Sequence, residues 1–309
     1  MFAIMMTSLC KEYYQFILAQ GILGGFSNGF LFTPSMSCVN HYFQKKRGAA
    51  LGAVAVGSSV GGVVIPIILQ KCFYSKIGFG WGVRILGFGM LAFLTVASLL
   101  IKERLPPRKG AFFAPKAFLD LSYVLIVAAI FLIFWAIFLP FFYISEYAVE
   151  KLHMSTSLAF YLLSIINGLS LVGRTFFGFI GDKVGFLTLL TGLAIINAIM
   201  IFCFSVTTSN AGIIVWSCFF GFTSGGIFSV FPAAVAHSAP QPQLIGTYIG
   251  QMMAVTSLAA LTGGPILGAL IKSYGYLQAT IFAGVVLLAA AACMAGGRFA
   301  KQPDFRQKA

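Results

Sequence analysis

GRTFFGFIGDKVG, residues 173–185, decides how this chain must fold. It continues an uncharged run, SLAFYLLSIINGLSLVG at 157–173, and together they exceed the ~20 apolar residues that cross a bilayer core. Arg174 stands nine residues before Lys183, or ~13 Å deeper at ~1.5 Å per helical residue. An unpaired arginine at that depth costs at least ~2.5 kcal/mol on insertion scales. The stretch reads as the inner third of a transmembrane helix that keeps a guanidinium in the membrane and ends on Asp182, Lys183 and Gly185.

The whole chain supports that reading. Of 309 residues, 59% are hydrophobic and only 9% are charged, with a mean hydropathy of +0.95. A soluble domain carries roughly a quarter charged residues, so this is an integral membrane protein whose first partner is the lipid bilayer. Strand-type alternation is absent, which argues against a β-barrel. Counting apolar runs gives about nine complete spans, at 14–38, 48–70, 82–101, 119–143, 158–181, 187–206, 211–236, 245–271 and 276–297. The expected fold class is an all-α membrane bundle. The hydrophilic stretch KERLPPRKGAFFAPKAFLD at 102–120 carries the Pro pair, Gly and basic cluster of a linker. It divides the chain into a partial N-terminal bundle (1–101), a cytosolic linker (102–118) and a C-terminal six-helix bundle with a short tail (119–309).

Charge sets the orientation. Nine spans put the termini on opposite sides, and thirteen Lys and Arg fall on the C-terminal side against five on the other. By the positive-inside rule the C-terminus is cytosolic, and the plasma membrane is the expected location. The formal charge of +13 is spent in short loops, so it orients the chain in lipid rather than binding nucleic acid. The N-terminus then begins outside, directly after the tail of an earlier helix, so front helices are expected to be missing. The six Cys are scattered without a CxxC pair, and His41, His153 and His237 stand singly. Neither pattern suggests a metal, a disulfide framework or any other cofactor.

Two stretches carry a resemblance. In YFQKKRGAALGAVAVGSSVGG (42–62), the basic cluster Lys45, Lys46 and Arg47 precedes a helix rich in small residues. In the opening stretch, Gly178, Asp182, Lys183 and Gly185 form a Gly-x-x-x-Asp-Lys-x-Gly loop. Together with LTGGPILGAL at 261–270, these resemble the major facilitator superfamily, in its monocarboxylate-porter-like branch as found in fungi. The resemblance implies that the nine spans are helices four to twelve of a twelve-helix transporter, and that Gly178, Asp182, Lys183, Gly185, Lys45, Lys46 and Arg47 belong to a gate. Asp182 can accept from the N-terminal amides of a neighbouring helix, where negative charge is favoured. The same residues also suit a static helix cap beside a snorkelling lysine.

All seven acidic residues lie in loops or at span ends. Where the family commonly has an Asp four residues before this arginine, the chain has Ser170, so proton coupling of the usual kind is not expected. Asn167, Ser170 and Arg174 share one helix face, a polar stripe expected to border a wet cavity. The guanidinium suits a substrate carboxylate; backbone carbonyls at a helix break and inner-leaflet phosphates are the alternatives. Weaker substrate-binding candidates are Asn28, Gln251 and a helix break at Ser224–Gly226 near Phe228 and Phe231. Arg84, beside Trp81, reads as an interfacial anchor.

The resemblance implies a secondary active transporter of small organic anions, monocarboxylate-like, working by alternating access. Efflux of a hydrophobic secondary metabolite and a truncated, non-transporting remnant are the alternatives, and an accessory membrane protein is left open. The sequence offers no nucleophile–base pair for an enzyme, no charge rings for a channel and no phosphate-binding loop for ATP-driven pumping.

Overall fold

The computed structural model describes residues 1–43, 46–73, 75, 77–102 and 113–301. Lys45, the linker residues 103–112 and the tail 302–309 lie outside the described residues. Helix follows helix: α1 (Phe2–Thr7), α2 (Tyr13–Phe16), a π-helical segment (Ile17–Leu23), α3 (Gly24–Tyr42), α4 (Arg47–Phe73), α5 (Gly78–Leu100), α6 (Leu121–Ala136), α7 (Leu139–Glu150), α8 (Thr156–Val184), α9 (Phe186–Phe204), α10 (Asn210–Ser238), α11 (Ile245–Tyr274) and α12 (Tyr276–Lys301). Among the described residues, nine helical stretches are long and apolar enough to span a bilayer and no strand occurs. The expected all-α membrane bundle is what the chain builds.

Two spans are less regular than their hydropathy suggests. The first, Tyr13–Tyr42, joins α2 to α3 through the π segment, which ends at Gly24 and Gly25. The fourth, expected as one helix over 119–143, is broken between Ala136 and Leu139. Pro140, the second residue of α7, has no N–H to give the carbonyl one turn back, so the helix must restart there. Asp120 caps α6 by accepting from the Ser122 N–H at 2.9 Å, and Ser209 caps α10 through the Gly212 N–H at 3.1 Å. Gly185 (φ +99°) turns α8 directly into α9, a backbone state that L side chains rarely adopt.

The core lies among α6 and α8–α12. Tyr123, Ile126, Ile130 and Ile133 on α6 are fully buried against α12 and α11. The Tyr123 hydroxyl donates to the Tyr248 carbonyl at 2.8 Å, and the Ser122 hydroxyl to the Gly297 carbonyl at 2.7 Å. Outward rings such as Phe30 (77% exposed) and Phe93 (80%) are a surface for acyl chains, not water.

Helix α8 is the centre of the arrangement, packed most extensively on α10 and α4. Both contacts are backbone to backbone. A Cβ on Gly221 or Gly225 would collide with the carbonyls of Ile166 and Ser170, and one on Gly173 with the Phe222 carbonyl. On the other side, a Cβ on Gly52 would stand 2.7 Å from the Arg174 carbonyl, and one on Gly48 2.5 Å from that of Gly178. Small residues of this kind let membrane helices pack closely where no hydrophobic force drives them together. Gly225→Ala is therefore expected to destabilise the protein by ~1–3 kcal/mol, read as a lower melting temperature in detergent. Gly192→Ala, where nothing lies within 4 Å of the added methyl, is the control and should leave the melt unchanged or slightly higher.

Candidate functional site

Helix α8 carries Asn167, Ser170 and Arg174 on the face it turns to α4. The Arg174 side chain is only 8% exposed, and its bonds leave through two of its three nitrogens. Nε donates to the Ser170 hydroxyl at 3.1 Å. Nη1 donates to the Ala55 carbonyl at 2.6 Å and to the Ser58 hydroxyl. Ser170 in turn lies 3.3 Å from Ser59 across the same interface. No carboxylate pairs with Arg174 among the described residues, and Nη2 takes no bond there. The charge is held by dipoles alone, with its Cζ 5.5 Å from the Phe228 ring centre.

Beyond the guanidinium opens a cavity of about 510 Å³. Its polar groups come from Arg174, Ser58, Asn28 and Ser35, while Phe134, Phe228 and Phe231 form an aromatic wall. These rings meet edge to face, Phe134 at 5.9 Å from Phe228 and 5.5 Å from Phe231. A site of this size, mostly apolar with a few aimed polar groups, has the usual make-up of a small-molecule pocket.

The structure separates residues that the sequence grouped. Asn167 does not reach the cavity. Its Nδ2 bonds the Leu163 carbonyl at 2.9 Å, and it fills the space over Gly62, where a Cβ would stand 2.5 Å from its Oδ1. Ser170 also faces α4, so of the expected stripe only Arg174 lines this cavity. Asn28 lines that volume with Arg174. Gln251 lines a different groove with Phe113 and Phe118, and its Nε2 holds the Ala114 carbonyl at 3.2 Å. The expected break at Ser224–Gly226 is absent: α10 runs unbroken through it. Its glycines serve close approach instead, Gly225 to Ser170 and Gly226 to the Phe177 ring. Arg84 lies with its Cζ 5.1 Å from the Trp81 ring centre and donates to the Ser8 hydroxyl at 3.2 Å.

A second constellation sits at the end of the bundle where α8 finishes and α4 begins. The Gly48 N–H donates to Asp182 Oδ1 at 2.8 Å, and the Ala49 N–H to Oδ2 at 2.9 Å. The carboxylate thus satisfies two of the free amides of α4 and sits on the positive end of its dipole. Gly178 and Gly48 give the backbone clearance, and Gly185 ends α8 directly after. Lys46 and Lys183 are exposed, while Arg47 is half-buried. At this same basic end His41 Nε2 lies 3.1 Å from the Pro242 carbonyl, which joins the tail of α3 to the approach of α11. No group of three or more His, Cys, Asp or Glu able to hold a metal occurs among the described residues.

Comparison with known proteins gives the family. The family profile described as the Major Facilitator Superfamily matches residues 1–260. The aspyridones efflux protein apdF of Emericella nidulans is 49% identical over 288 residues, covering 93% of this chain and 59% of its own length. The agnestins efflux protein AgnL12 of Paecilomyces divaricatus is 39% identical over 295 residues, covering 93% of this chain and 66% of its own. The chain therefore spans about three fifths to two thirds of the length of these relatives. The human organic anion transporter MFSD10 (TETRAN) shares the fold, with a TM-score of 0.77 at 12% identity over 94% of this chain and 74% of that one. This chain belongs to the Major Facilitator Superfamily.

Proposed function

We propose that this protein exports a hydrophobic, singly acidic secondary metabolite by alternating access, with Arg174 as the anion-binding group. The observation that carries the proposal is a buried guanidinium with no counter-charge among the described residues, one nitrogen of which takes no bond among them at the wall of an aromatic cavity. A charge kept in an apolar site without a partner invites one from the ligand, since the pair removes part of the desolvation cost. The aromatic lining favours a ligand with an extensive apolar body over a short-chain monocarboxylate. Two relatives named as efflux proteins for fungal products support export over uptake. In this reading the protein lies in the plasma membrane with its C-terminus cytosolic.

The Asp182 clasp acts as the inner gate. Its two bonds join α8 to α4 across the interface at which the helix groups move in alternating access, so they exist in one state and break in the other. The division at 102–118 separates the two moving groups, and Ser170, a hydroxyl that does not titrate near neutral pH, leaves Arg174 cationic through the cycle.

Arg174→Ala should lower initial rates for hydrophobic aromatic acids at least ~10-fold, with rates for the matched neutral amides little changed. Arg174→Lys keeps the charge but loses the planar fork and should restore only part of the rate. Rates are taken per molecule at the membrane surface. Normal acid transport in Arg174→Ala would end the anion-site reading. Asp182→Asn should weaken the clasp, because hydrogen bonds to a charged acceptor are worth ~1.5–3 kcal/mol and neutral ones less. A cysteine placed at Ser35, on the cavity wall, should then react several-fold faster with an impermeant maleimide applied from the basic side. Unchanged labelling would leave Asp182 a static cap.

A further inference from the structure

We infer that the cavity reads a second polar group on its ligand, through Asn28, so that the preferred substrate is an acid bearing a neutral amide or hydroxyl at the far end of an apolar body. The inference rests on the Arg174 reading above for the acid end, and on separate observations for the other.

Helix α3 presents Asn28, Leu31, Phe32, Ser35 and Met36 to the cavity, at the i, i+3, i+4, i+7, i+8 spacing of one helix face. Its two polar members differ. The Ser35 hydroxyl is spent on the Leu31 carbonyl at 2.6 Å, as the Ser58 hydroxyl on α4 is on Ala55 at 2.9 Å. Asn28 is exposed to the cavity, and its carboxamide makes no hydrogen bond among the described residues. The groups with uncommitted donors on the cavity wall are therefore Arg174, through Nη2, and Asn28. One is a cation; the other offers a donor pair and an acceptor.

Their positions along the two helices place them at different depths. Arg174 lies ten residues before the end of α8 and Asn28 fourteen before the end of α3. At ~1.5 Å per residue these are ~15 and ~21 Å from the basic end, so Asn28 sits about one turn further from it. The same cavity wall carries Leu31, Val54, Phe134 and Phe231, which fit apolar surface. The two residues also belong to opposite helix groups, α3 and α8. A ligand that holds both interacts differently with states in which those groups have moved apart, and that difference is what shifts a conformational equilibrium.

The test uses purified protein in nanodiscs and two flexible series, alkanedioic acid monoamides and the plain alkanoates of equal length, with four to ten methylenes. Dissociation constants are measured by calorimetry for wild type, Asn28→Leu and Arg174→Ala. The quantity of interest is the amide-to-alkanoate affinity ratio in wild type divided by that in Asn28→Leu, which cancels the amide's lower hydrophobicity. At the chain length that spans the two residues it should reach about 3–10-fold, the worth of a hydrogen bond in such exchanges. Asn28→Leu should weaken the monoamides more than the plain alkanoates at that length, with an unchanged melting temperature. A ratio of one at every length, or equal weakening of both series by Asn28→Leu, would overturn the inference. Arg174→Ala should weaken both series alike. If it weakens neither while the Asn28 ratio persists, the anion reading falls and the Asn28 site stands.

Discussion

Everything in this bundle depends on the close contact of α8 with two neighbours at once. Gly221 and Gly225 on α10 and Gly173 on α8 leave no side chain between those helices. Gly48 and Gly52 do the same from α4. In lipid there is no water to expel, so such contact depends on van der Waals packing over long, smooth faces. The consequence for chemistry is positional. With α4 drawn in to backbone distance, the Ala55 carbonyl and the Ser58 hydroxyl come within reach of Arg174, and the guanidinium is oriented before any ligand arrives.

That preorganisation explains how a buried cation is tolerated without a carboxylate. A lone charge in a low-dielectric interior is costly unless dipoles replace its hydration. Arg174 receives one backbone carbonyl, two hydroxyls and the face of Phe228. A carboxylate at position 170 would have neutralised the charge. Ser170 only orients it, and on the proposed reading the guanidinium's remaining attraction is for a ligand that enters from the cavity. The same interface, eight residues further along α8, is fastened by Asp182 on the first amides of α4.

Much of this was legible in the sequence. Helix positions were, because an apolar run of bilayer length has few other uses, and so was the end of α8 at Gly185. The break ahead of Pro140 had a signal, FLPFF, but a hydropathy count passes over a single missing N–H. The Ala55 carbonyl could not be read as a partner of Arg174, because a backbone carbonyl has no residue signature. Asn167 was misassigned to the cavity, since helical spacing says which residues share a face but not what that face meets. Asn28 and Gln251 looked equivalent as lone polar residues in apolar helices. Only the packing of α3 and α11 put one on the wall of the Arg174 cavity and the other against Ala114.

If Arg174 binds the anion as proposed, its one uncommitted nitrogen would also make the cavity a counter of charge. One negative group is met by one cation; a second would enter among Phe134, Phe228 and Phe231 with no partner, at a cost of several kcal/mol. Biosynthetic intermediates often carry extra charge, as phosphates, thioester carriers or second carboxylates. A doorway that admits one charge and refuses two would retain such compounds in the cell that makes them and release only those whose synthesis has removed all but the last.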